Sequence, residues 1–231
     1  MDRSNTVGAT GTESVVSLCF EREMPSAEVE RIKQRLGARA ALVVPATVGA
    51  AWDRARQLGF SKSSRPEVGA LMATLAAAVP ASGRILELGT GVGVGLAWVV
   101  HGLHDRADVE VVSVEVDREK SDLVSCAGWP EWVSLVVGDA REVLPDLGTY
   151  DLIFLDIPGA LKEAVVNGAV SALRPGGQLL IDDMNPYWQR RMPGEHPVDR
   201  RDPDGLVDDP RVVCALLRYS SGMILATRKS A

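Results

Sequence analysis

The chain has 231 residues, 46% apolar and 24% charged, with a formal net charge of −6. That length suits one domain, or one domain plus an extension, and the apolar share is enough to bury a full core, which excludes a disordered chain. No block of Lys or Arg tracks a phosphate backbone, no apolar run approaches the roughly 18–20 residues of a membrane span, and Met1-Asp2-Arg3-Ser4-Asn5 opens no signal peptide, so a cytoplasmic protein that binds neither nucleic acid nor membrane is expected.

In chain order, the first dozen residues are rich in Ser, Thr, Gly and Asn and read as a flexible tail. Ser26 followed by Ala27-Glu28-Val29-Glu30 reads as a capped helix start, continued by Ile32, Leu36 and Ala40. A second helix is expected over 47–58, stopped by Gly59. Residues 1–60 thus form a tail and helical extension, which either shapes a substrate pocket or oligomer interface or only covers one side of the core. Residues 61–231 form the main domain. It opens with Pro66 at the first position of a helix, with Val68, Leu71, Met72, Leu75 and Ala76 as its apolar stripe.

Strands are then expected at 84–88, 109–116, 133–137, 152–156 and 178–182, with helical segments between them, including 161–173 before Arg174-Pro175-Gly176-Gly177. Such alternation predicts an α/β fold, a doubly wound, mostly parallel sheet with ligands above the carboxyl ends of its strands. The runs 211–219 and 223–227, joined by Ser220-Ser221-Gly222, read as a closing hairpin that brings the sheet to seven strands and adds one antiparallel strand. Cys19, Cys126 and Cys214 are far apart, in no C-x-x-C pattern, and are expected to be buried free thiols.

The organising stretch is Leu86-Glu87-Leu88-Gly89-Thr90-Gly91-Val92-Gly93-Val94-Gly95, a buried strand running into a glycine loop and then a helix. Glycines let a ligand lie against the backbone, and the helix N-terminus offers unpaired N–H groups. The dinucleotide spacing G-x-G-x-x-G fails at its third glycine, where Val94 stands, and no Lys-Ser or Lys-Thr follows as in a phosphate loop. Glu87, just before the loop, would repel a pyrophosphate and suits a cationic ligand such as S-adenosylmethionine. Glu115-Val116 at the end of the second strand can accept ribose hydroxyls, and Gly138-Asp139-Ala140 after the third can accept from an adenine amino group. One acidic residue at a strand end is most simply a cap; three on consecutive strands behind a glycine loop point to a site.

With these residues in view, the chain resembles the class I S-adenosylmethionine-dependent methyltransferases, and within them the catechol and caffeoyl-CoA O-methyltransferase branch with its bacterial relatives. The resemblance spans about residues 60–229 and adds Pro66-Glu67-Val68-Gly69, Asp151-Leu152-Ile153-Phe154-Leu155-Asp156, Leu173-Arg174-Pro175-Gly176-Gly177, Ile181-Asp182-Asp183-Met184 and Ser221-Gly222-Met223-Ile224-Leu225-Ala226-Thr227-Arg228. It implies cofactor contacts from Glu87, Gly89, Thr90, Gly91, Gly93, Glu115, Val116, Gly138, Asp139, Ala140 and Asp156. It also implies a divalent cation, Mg²⁺ or Ca²⁺, on Asp156, Asp182 and Asp183, with Asp183 where the family has Asn. The alternative is that Asp182 and Asp183 bond loop N–H groups while Asp156 touches the cofactor.

The family's general-base Lys, three residues after the first metal Asp, is missing, because Asp156 is followed by Ile157-Pro158-Gly159. Lys162 reads as a solvated helix residue, so Asp156, Tyr187 and His196 are the catalytic candidates, the last two in a long Pro-rich loop. The implied activity is methylation of a small aromatic or natural-product-like hydroxyl, by a homo-oligomer, in the first instance a dimer. Metal-free C- or N-methylation of an electron-rich ring, and an adenosyl-binding protein without catalysis, stand as alternatives.

Overall fold

The structure, a computed structural model, describes residues 44–184, 203–217 and 220–230. These belong to one compact unit, Val44–Ala231. Its first helix, α1 (Ala46–Gln57), ends at Leu58, and Gly59 follows with a φ of 62° that only glycine adopts cheaply. Helix α2 (Pro66–Ala77) has the expected proline at its first turn, with Arg65 extended before it.

The sheet strands are β1 (Arg84–Leu88), β2 (Glu110–Glu115), β3 (Val133–Val137), β4 (Tyr150–Leu155), β5 (Leu173–Ile181), β6 (Val212–Leu217) and β7 (Met223–Arg228). Between them run α3 (Val94–Leu103), α4 (Arg118–Ser125), the one-turn α5 (Ala140–Val143) and α6 (Gly159–Ala172). The order across the sheet is β3-β2-β1-β4-β5-β7-β6, with β7 antiparallel to both neighbours and the remaining pairs parallel. The seven-stranded, mostly parallel architecture and its antiparallel hairpin strand are those expected from the sequence.

Because successive side chains in a strand face opposite ways, each central strand feeds two cores. Leu86, Leu88, Val112, Val114, Ile153 and Leu155 pack on the α6 side, whereas Ile85, Val111, Leu152 and Phe154 pack under α2 and α3. On that second side, Trp98 of α3 lies flat against α2 at Gly69, where a Cβ would fall 2.1 Å from the indole ring.

Two local expectations need correction. Residues 174–177, expected to lie between the helix at 161–173 and the strand at 178–182, lie inside β5, which starts at Leu173 and absorbs its Pro-Gly-Gly segment as an irregularity in register against β4. The thiols also differ: Cys126 is exposed just after the amphipathic α4, and Cys214 is half-buried on the edge strand β6. Cys19 lies outside the described residues. Among the described residues no helix is long and apolar enough to cross a membrane.

Candidate active site

The carboxyl ends of β1, β2, β3, β4 and β5 open onto a cleft of about 710 Å³. Its floor is the turn from β1 into α3. Gly89, Gly91 and Gly93 have φ values of 103°, 55° and 84°, all in the left-handed region that a side chain disfavours. At Gly89 a Cβ would also fall 2.2 Å from the Asp156 carbonyl oxygen. The loop is stitched to β2, since the N–H groups of Gly89 and Thr90 both donate to the Val114 carbonyl, at 2.9 and 3.1 Å. From the other side the Arg54 guanidinium of α1 donates to the Val92 carbonyl at 3.2 Å.

Glu115 sits where the sequence placed it, at the end of β2 and facing the cleft. It is also structural, because Oε2 accepts from the Gly91 N–H at 2.7 Å and Oε1 from the Asp117 N–H at 3.0 Å. Exposed Val116 lines the cleft beside it, as do Gly138, Asp139 and Ala140. Asp139 caps α5 and pairs with Arg141, which holds its carboxyl down to about 2.

Glu87 lies elsewhere. It is buried beneath the loop rather than in the cleft wall, and Gly95 packs so closely that a Cβ there would meet Glu87 Oε1 at 2.2 Å. Ser113 Oγ donates to Glu87 Oε2 at 2.5 Å, and Thr90 Oγ1 is 2.5 Å from the same hydroxyl, so a chain of hydroxyls links the buried carboxyl to the cleft. Oε1 has no hydrogen-bond partner. Burial, followed by the charges of Asp156 and Glu115, outweighs the Ser113 bond and pushes the Glu87 pKa up to about 8. Gly93 likewise stays out of the wall and serves as the N-cap of α3.

Opposite the glycine loop, Asp156, Asp182 and Asp183 all border the cleft, as expected from their positions after β4 and β5. Ser64 Oγ donates to Asp156 Oδ2 at 3.2 Å. Asp182 is almost fully buried, and its Oδ1 accepts from the Ser221 hydroxyl of the β6–β7 turn and from the Asp183 N–H at 2.6 Å. Burial and mutual repulsion raise the pKa of both Asp156, to about 7, and Asp182.

Lys162 overturns its sequence reading. It is 3% exposed, borders the cleft, and its Nζ donates to the Asp182 carbonyl at 2.5 Å. Its charge draws the pKa of both Asp156 and Asp182 back down. The signal was present, since Lys162, Val165, Val166 and Ala169 form one buried stripe of α6, a face on which a solvated lysine does not sit. Ser64, Ser113 and Ser221 were also missed, for each finds its carboxylate across 26 to 92 residues of sequence. Tyr187 and His196 lie outside the described residues.

The donor set allows a test of which groups belong here. The loop and the β2 end present close-lying glycine backbone and the Glu115 carboxylate, while the nearby Lys120 is paired with Asp117, which fits an adenosyl group with a cationic sulfonium better than a pyrophosphate. The three aspartates fit a divalent ion less well. Among the described residues, no group of three or more His, Cys, Asp or Glu side chains is arranged to hold a metal ion.

With this geometry in place, a profile described as "Methyltransferase domain" matches residues 86–184, the span from β1 to the end of β5. A protein of Mycobacteroides abscessus named "Putative O-methyltransferase" is 30% identical over 190 residues, covering 78% of this chain and 87% of that protein. The chain belongs to the S-adenosylmethionine-dependent O-methyltransferase family. A second relative so named, from Mycolicibacterium vanbaalenii, is 36% identical over 141 residues, which are 59% of this chain and 62% of that one. Among solved structures, the O-methyltransferase TomG from Streptomyces achromogenes, in complex with SAM, superposes with a TM-score of 0.70 at 21% identity, covering 90% of this chain and 100% of that one. In this methyltransferase, the shared fold extends beyond the matched domain.

Proposed function

We propose that this enzyme transfers a methyl group from S-adenosylmethionine to a hydroxyl of a small aromatic or natural-product-like molecule. The observation that carries the reading is one continuous cleft with the glycine loop and Glu115 at one end and the half-buried Asp156 with the buried Asp182 and Lys162 at the other. Glu115 would hold the ribose hydroxyls, with the glycine loop packed against the cofactor, and residues 138–140 the adenine edge. When bound, the cofactor supplies an electrophilic methyl group on sulfur.

Asp156 is the group suited to take the acceptor's proton. A carboxylate raised to about 7 is half-ionised near neutrality and still basic enough to accept a proton from a hydroxyl. Methyl transfer would leave the acceptor hydroxyl's proton to be taken up, and Asp156, at the end of β4, would accept it. Ile157, Leu161 and Val165 offer an apolar wall for the body of the acceptor. Most of the acceleration then comes from holding donor and acceptor in line.

Incubation with methyl-labelled cofactor and a cell extract, followed by mass identification of the labelled product, tests this. A methyl ether is expected. A C- or N-methylated product, or adenosylhomocysteine binding with no labelled product, would contradict it.

A further inference from the structure

The family resemblance implies a divalent cation in the acceptor end of the cleft, yet a different positive charge, the buried ammonium of Lys162, already lies there. We propose that the ammonium of Lys162 takes the place of that cation, so that methyl transfer runs with no metal bound. The proposal rests on the methyl-transfer reading of this cleft for what the charge is used for, but not for where the charge lies.

Four observations carry it. Lys162 belongs to the buried stripe of α6 and is 3% exposed, so its ammonium is held inside the fold at the cleft edge rather than out in solvent. Its Nζ is tied to the Asp182 carbonyl, which anchors it at the end of β5. It borders the same cleft as Asp156 and Asp182, the two carboxylates a metal would need. Those carboxylates are already engaged: Asp182 Oδ1 takes the Ser221 hydroxyl and the Asp183 N–H, and Asp156 Oδ2 takes the Ser64 hydroxyl. A divalent ion entering here would compete with these donors or be left the one remaining oxygen of each carboxylate, and it would sit beside a buried like charge. The ammonium, by contrast, offsets the carboxylates as they stand, and it stabilises negative charge developing on an acceptor oxygen while keeping its own proton.

The test is a Mn²⁺ titration of the full chain followed by the electron spin resonance signal of free Mn²⁺, with adenosylhomocysteine calorimetry on each protein to show that it is folded. The wild type is expected to leave added Mn²⁺ free. Lys162→Ala and Lys162→Met, which strip the compensating charge, are expected to gain about one Mn²⁺ per chain, and Asp156→Asn in the Lys162→Ala background to lose it again. A wild type that binds one Mn²⁺, with loss of that ion in Asp156→Asn, would overturn the proposal, as would folded Lys162 variants that gain none. Should both Lys162 variants fail to fold, label transfer by the wild type with and without a chelator decides: rates equal within about twofold support the proposal, and loss of transfer overturns it. Failure of the wild type to bind adenosylhomocysteine would instead count against the methyl-transfer reading and leave the Mn²⁺ result to stand by itself.

Discussion

The buried carboxyl of Glu87 shows how a single side chain links cofactor loop and stability. In the unfolded chain it ionises near 4.5, whereas in the folded protein it keeps its proton up to about 8. Between those values folding takes up a proton, so the folded state loses stability as pH rises from about 4.5 to 8, and the loss is complete above that. Glu87→Gln cannot ionise, and its melting temperature minus that of the wild type is expected to rise by about 3 °C or more between pH 5 and pH 8, the shift produced by roughly 1 kcal/mol in a domain of this size. Parallel melting curves across that range would show that Glu87 is ionised in the fold. Ser113→Ala removes the one hydrogen bond that favours the carboxylate, so it should push the Glu87 titration higher still, measurable by the carboxyl ¹³C shift. The sequence made Glu87 legible as an acidic residue at the loop but not its depth, which depends on Gly95 closing over it. Lys162 was misread because its charge outweighed the stripe it belongs to, and Ser64, Ser113 and Ser221 because nothing local marks a hydroxyl whose partner is far along the chain.

At the scale of elements, the strands β1 and β3 are where their apolar runs begin and end, and β2, β4 and the hairpin differ by a residue or two, because a parallel sheet buried on both faces writes itself as short apolar runs between polar turns. The start of β5 was illegible for the opposite reason. Pro175-Gly176-Gly177 is turn chemistry, and only pairing with β4 holds it in the sheet. Two glycines test how the elements close on one another. Gly69→Ala drives a methyl group into the Trp98 ring and should destabilise the α2–α3 contact by about 1–3 kcal/mol, read by urea unfolding, because the indole is held between two helices and cannot move without repacking. Gly89→Ala combines a φ of 103° with a Cβ 2.2 Å from the Asp156 carbonyl oxygen, so it should separate the ends of β1 and β4. Calorimetry with adenosylhomocysteine should show at least a tenfold loss of affinity, about 1.4 kcal/mol, and unchanged affinity would mean that the loop is not the cradle.

For the molecule as a whole, the fold divides the labour along one cleft. The order β3-β2-β1-β4-β5 brings the ends of five parallel strands to one rim, so residues separated by nearly 100 positions, Gly89 to Asp183, surround a single volume. The donor half of that site could be read from spacing, since the glycines and the acidic strand ends lie at fixed offsets from their strands. The acceptor half could be read only as far as its aspartates, because its balance of charge is set by a helix and a hairpin that reach it from elsewhere. The central claim is that methyl transfer takes place at the Asp156 end of this cleft with that carboxylate accepting the proton. Single-turnover transfer of labelled methyl to the acceptor recovered from extract, compared between the wild type and Asp156→Asn, tests it most directly. Transfer slowed about 100-fold or more, with adenosylhomocysteine affinity changed by less than about tenfold, is the predicted result; an equal rate in the two proteins would contradict it.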